Sequence, residues 1–175
     1  MDWSQYPTTT AFRVAEIHQL QTIAREIHPD YLQISNEPTT TATLTHFVDT
    51  PDDYAAFVKQ AVQAIPPQPG MLVEAGAGTW EDQNYMTKLN PISGLDFIDL
   101  HVYPLGKNGN MLRLTAALAN SARAAGKHVV ISEAWLYKTG TSNGYTSKDF
   151  TTIIGQDVFR SEWPVQNRPR IRCAA

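Results

Sequence analysis

Four short apolar runs limit most strongly what this chain can fold into: residues 31–35, 71–75, 97–103 and 128–132. Helical patterns separate them. Short apolar runs alternating with helices argue for a parallel sheet covered on its outer face. The first helix is expected from about Ala11 to His28, where Phe12, Ile17, Leu20, Ile23, Ala24 and Ile27 form one stripe at helical spacing. Thr9 or Thr10 is its expected cap, and Pro29-Asp30 its stop. Thr50 caps the next helix, with Pro51 at its first position and Asp52 and Asp53 at the positive end of its dipole. Its buried face is Tyr54, Phe57, Val58, Ala61, Val62 and Ile65, and Pro66-Pro67-Gln68-Pro69-Gly70 ends it.

Further helices are expected over 81–89, over 110–125 with Gly126 as stop, and from near Ser147. The threonine-rich stretch 39–43 and the Gly76-Ala77-Gly78 segment read as loops. The predicted order is αβαβαβαβα, which fits either an open doubly wound sheet or a β/α barrel. Polar residues favour the barrel. Glu37, His101 with Tyr103, and Glu133 stand at the carboxyl ends of strands, where barrel active sites are built. No strand is followed by a dinucleotide-type glycine loop. A complete barrel needs eight strands and about 250 residues, so this α/β chain of 175 residues is expected to be a partial (β/α)8 TIM barrel over residues 1–166. Residues 167–175 read as an irregular tail, and exposed barrel edges predict self-association.

Composition narrows the partners. Fourteen Lys and Arg face 17 Asp and Glu without a block of either sign, so nucleic acid is not an expected partner. No apolar stretch approaches the length that spans a bilayer, and no membrane partner is expected. The single cysteine, Cys173, excludes an intrachain disulfide. The first residues lack the basic and apolar regions of a signal peptide.

Strand alternation places Phe97, Asp99, His101 and Tyr103 on one face, with Ile98, Leu100 and Val102 against helices. On the same reasoning Val129, Ile131 and Glu133 share a face, as do Gln33, Ser35 and Glu37. Asn36 then points away unless a bulge or strand-end twist turns it inward. Two glutamates at strand ends facing one cleft are the equipment of glycoside hydrolysis. Asp99 and Glu74 read as partners in interior hydrogen bonds or ion pairs.

Asn36-Glu37-Pro38 at a strand end resembles the fourth-strand signature of the clan A retaining glycoside hydrolases, the β/α-barrel group of many cellulases, mannanases and galactanases. Ser132-Glu133 resembles the seventh-strand end of that clan, and His101-Val102-Tyr103 its sixth strand. The resemblance covers strands four to seven and spans Tyr31 to Trp135; strands one to three and eight of the clan pattern are absent from it. It implies a carbohydrate substrate, no cofactor, Glu37 as a protonated acid/base with raised pKa, and Glu133 as the nucleophile. It further implies that Asn36 binds sugar beside the scissile bond. Among the neighbours, His101 is expected to bind a substrate hydroxyl or position Glu37, Tyr103 to orient Glu133, and Trp135 to offer a flat face to a pyranose. Trp80 is a further aromatic candidate, with packing as the plainer role for both tryptophans. Secretion is the expectation from such a substrate. Two other readings stand beside this one. Glu37, Asp99, His101 and Glu133 have the oxygen and imidazole chemistry of a divalent-metal site. A carbohydrate-binding barrel fragment without turnover is the second.

Overall fold

A computed structural model describes residues 5–102 and 111–134. Tyr103, Trp135, the helix expected from Ser147, the 167–175 tail and Cys173 lie outside the described residues. The strands are β1 (Tyr31–Gln33), β2 (Leu72–Gly78), β3 (Phe97–Val102) and β4 (His128–Ala134). They form one sheet in the order β1-β2-β3-β4, every pairing parallel. The helices are α1 (Thr9–Ile27), α2 (Pro38–Thr45), α3 (Pro51–Ala64), α4 (Asn84–Thr87) and α5 (Met111–Ala124). The strand order runs on without the reversal that marks a doubly wound sheet. The result is a curled α/β half-barrel with flanking helices.

The core lies between sheet and helices. Ile98, Leu100 and Val102 turn outward from β3, as alternation predicts, and join Val73, Ala75, Ala77, Phe57, Val58, Met86, Leu89 and Leu118 in one buried cluster. Each large side chain buried there contributes about 1.5–3 kcal/mol. The α3 cap is the expected one: Thr50 Oγ accepts from the Asp53 amide at 3.2 Å, and the Asp53 carboxylate accepts from the Thr50 amide at 3.2 Å. Such a reciprocal box satisfies two donors that a helix start leaves open. At α1 the cap is Thr8, whose hydroxyl accepts from the Ala11 amide at 3.1 Å, one residue before the expected Thr9 or Thr10. The polar helix expected over 81–89 shortens to Asn84–Thr87.

Two expected loops are regular structure. The threonine stretch belongs to α2, which starts with Pro38 at its first position. Thr43 and Thr45 donate to the Thr39 and Thr41 carbonyls at 2.9 and 2.8 Å, so these hydroxyls bond back onto the helix and do not compete with it. Glu81 also fixes the first turn, its Oε1 accepting from the Thr39 amide at 2.6 Å. Tertiary anchoring thus overrides weak propensity. The Gly76-Ala77-Gly78 segment is the end of β2. There Val73, Ala75 and Ala77 pack in the core, leaving Glu74, Gly76 and Gly78 on the opposite, interior face. A Cβ at Gly76 would collide with the Asp99 backbone and one at Gly78 with the Trp80 ring. The glycines make room inside the sheet; they do not make a turn.

Candidate active site

The carboxyl ends of β1, β3 and β4 deliver a polar cluster to the interior face. At the β1–α2 junction Glu37 is the N-cap of α2 with φ of 42°, a left-handed conformation costing a non-glycine residue about 1–2 kcal/mol. This turn breaks strand alternation, and Asn36 and Glu37 both reach inward. Glu37 Oε1 lies 2.6 Å from His101 Nδ1. Asn36 Nδ2 lies 3.2 Å from His101 Nε2 and donates to Gln33 Oε1 at 3.2 Å. Of the two expected outcomes for Asn36, the exception to alternation at the strand end is the one found, and Asn36 turns inward.

A similar departure occurs in β4. Asp99 pairs with Val130 but His101 pairs with Glu133, an irregularity that puts one extra residue into β4. Such a bulge re-aims side chains beside it. Ser132 and Glu133, consecutive in sequence, both meet the His101 ring: Ser132 Oγ is 3.0 Å from Nε2 and Glu133 Oε2 is 3.5 Å from Nδ1. Ser132 was expected only as part of the signature, and its contact was not foreseen. Ile131, expected to share the face of Glu133, is 47 % exposed.

Asp99 is fully buried and holds the cluster from below. Its Oδ2 accepts from Gln33 Nε2 at 2.7 Å and from Ser132 Oγ at 2.6 Å, and its Oδ1 accepts from the Ser132 amide at 3.1 Å. The same Oδ2 lies 3.2 Å from His101 Nε2. The expected interior hydrogen-bonding role of Asp99 is what the structure shows.

Charge follows from this geometry. Burial disfavours the imidazolium of His101, but its bonds to Asp99 and Glu37 outweigh that and raise its pKa to about 10. Burial pushes Glu37 upward, and the His101 and Thr40 hydrogen bonds more than reverse it, leaving its pKa lowered. Asp99 is likewise lowered: burial opposes, while bonds from His101 and Ser132 prevail. The expectation of a raised pKa at Glu37 is corrected: its hydrogen bonds hold it below the ordinary value. The proton of the pair sits on the His101 ring.

Sequence reasoning passed over Glu81. It is buried, its Oε1 accepts from the Thr39 amide, and its Oε2 accepts from the Gly78 amide at 2.6 Å. Desolvation raises its pKa although these bonds oppose. Glu81 so ties the end of β2 to the turn that carries Glu37. The only sequence signal was an acid three positions after Gly78, which by itself reads as a helix start.

Ligand atoms of Glu37, His101 and Glu133 all lie within 4.8 Å of one another. This donor set suits a hard or borderline divalent cation. Against a cation, both ring nitrogens of His101 face carboxylates, a setting that favours a proton on each. Among the described residues, no helix is long and apolar enough to cross a membrane. Comparison with protein-family models, curated proteins and solved structures gave no match.

Proposed function

We propose that the chain carries the catalytic half of a (β/α)8 barrel that hydrolyses O-glycosidic bonds with retention. Glu37 is the acid/base and Glu133 the nucleophile. The observation that carries this reading is the convergence of the two glutamates, from opposite ends of the sheet, on one imidazole, with ligand oxygens within 4.8 Å. Retaining enzymes hold their carboxyl groups about 5–5.5 Å apart, close enough for attack on one side of the anomeric carbon and proton delivery on the other.

The proton inventory fits a two-step displacement. At rest the proton lies on His101 Nδ1, 2.6 Å from Glu37 Oε1. As the leaving oxygen gains charge, the His101 Nδ1 proton passes through Glu37 to it, leaving a neutral ring and an ionised Glu37. Glu133 meanwhile bonds to the anomeric carbon as the glycosidic bond breaks. In the second step Glu37 takes a proton from water and hands it back to His101, while the water oxygen bonds to the anomeric carbon and displaces Glu133 as its carboxylate. Asp99 holds the ring oriented throughout and favours its recharging, and Asn36 presents its amide beside the reacting pair.

Turnover of aryl glycosides and of β-linked polysaccharides is the test. Glu133→Ala should lower the rate by at least about a thousandfold, and azide should restore part of it as a glycosyl azide. An unaffected rate in Glu133→Ala contradicts the assignment. The cluster of three ligand atoms supports one competing reading, a divalent-cation enzyme held by Glu37, His101 and Glu133. Loss of turnover on chelation, restored by added Mn²⁺ or Zn²⁺, would favour it; indifference to chelator favours the glycosidase.

A further inference from the structure

We propose that Trp80 is a sugar-ring platform at the mouth of the interior face, and that Gly78 exists to seat it. The inference rests on the glycosidase reading and adds the substrate surface that reading lacks among the described residues. Gly78 and His101 are paired across β2 and β3, and paired positions present their side chains to the same face. Gly78 has no side chain, and a Cβ there would meet Cζ2, Cη2 and Cε2 of the Trp80 indole. The indole therefore occupies the place of a side chain next to His101, on the face where Glu37 and Glu133 converge. Trp80 is 41 % exposed, much for so large an apolar group.

The chain on both sides is held firmly. The Thr79 amide donates to the His101 carbonyl at 2.9 Å, and the Glu81 amide donates to the Gly78 carbonyl at 3.0 Å. Glu81 Oε2 accepts from the Gly78 amide at 2.6 Å. A rigid aromatic offers large contact area at low entropic cost. The ligand that fits a flat apolar surface beside two acids is a pyranose ring, which presents an apolar C–H face and hydroxyl edges. The substrate class is thus an oligosaccharide of pyranose units, one of which stacks on Trp80 while its neighbour reaches the glutamates.

The test uses the full chain carrying Glu133→Gln, to suppress turnover, titrated calorimetrically with cellohexaose, mannohexaose and galactohexaose. Trp80→Ala should weaken the tightest of these by about tenfold, and Trp80→Phe should keep most of the affinity. Gly78→Ala retains the indole but displaces it, and should weaken binding about as much with little change in thermal unfolding. A Trp80→Ala or Gly78→Ala chain that binds like its parent, or a parent that binds none of the three, overturns the platform. The two ideas fail separately. Binding that depends on Trp80, in a chain whose wild-type form hydrolyses nothing, keeps the platform and removes the hydrolase. Turnover that depends on Glu133 but not on Trp80 does the reverse.

Discussion

Two buried cations organise acidic side chains in this molecule, and they differ in one respect that matters. On α1, Arg13 pairs with Glu16 at 2.6 Å and with Asp49, and its guanidinium lies 4.2 Å over the Phe57 ring. At the sheet, His101 bridges Glu37 at 2.6 Å and Asp99 at 3.2 Å, with Glu133 at 3.5 Å. Both cations are nearly enclosed, Arg13 at 6 % and His101 at 3 % exposure. A guanidinium never gives up its proton in a protein, so the first cluster can only hold α1 to the loop before α3. An imidazole exchanges its proton readily. Similar charge packing therefore gives a fixed cation in one place and an exchangeable proton in the other.

The largest effect should come from removing the fixed cation. Arg13→Met leaves buried Asp49 and half-buried Glu16 without a cation and should cost about 3–5 kcal/mol, measured by denaturant unfolding. The His101 titration should stay unchanged in that variant if the two clusters are independent. Asp99→Asn removes one of the two acids that charge the His101 ring. It should cost about 1–3 kcal/mol, and ring NMR should show the His101 pKa falling well below its present value of about 10. A His101 that keeps its high pKa without Asp99 would make Glu37 the dominant partner.

The pH dependence separates the clusters again. His101 is raised above its ordinary 6.5, so its contribution to stability is complete below that value and is lost as pH climbs through about 10. Stability should therefore decline across this alkaline window, and His101→Gln should flatten the decline. The Arg13 cluster adds nothing there, because the guanidinium stays charged. The smallest expected effect is at the α3 cap, where Thr50→Ala should cost about 1 kcal/mol without touching turnover.

Much of the fold was legible because its signals are local. The α3 start announces itself through Thr50, Pro51 and Asp53, and β3 through alternation that sends Ile98, Leu100 and Val102 to the helices. Failures came where a residue type answers a neighbour it meets only in the folded chain. Gly76 and Gly78 look like loop residues, yet each is glycine because Asp99 or Trp80 fills the space beside it. Threonines 39–43 look irregular, yet Glu81 pins the turn that starts their helix. Within the site, Glu37 and Glu133 could be named from their strand-end positions. The inward turn of Asn36 was open only as an exception to alternation, because it needs a left-handed residue, and the contact of Ser132 could not be read at all, because it needs a bulge.

Retaining hydrolysis requires the two glutamates to serve one sugar. An activated 2-deoxy-2-fluoro glycoside, incubated with the chain and followed by peptide mass mapping, tests that directly. A single covalent adduct on Glu133, formed more slowly in Glu37→Gln when the leaving group requires protonation, is the predicted result. Labelling elsewhere, or an adduct on Glu133 at the same rate without Glu37 even for a poor leaving group, would contradict it.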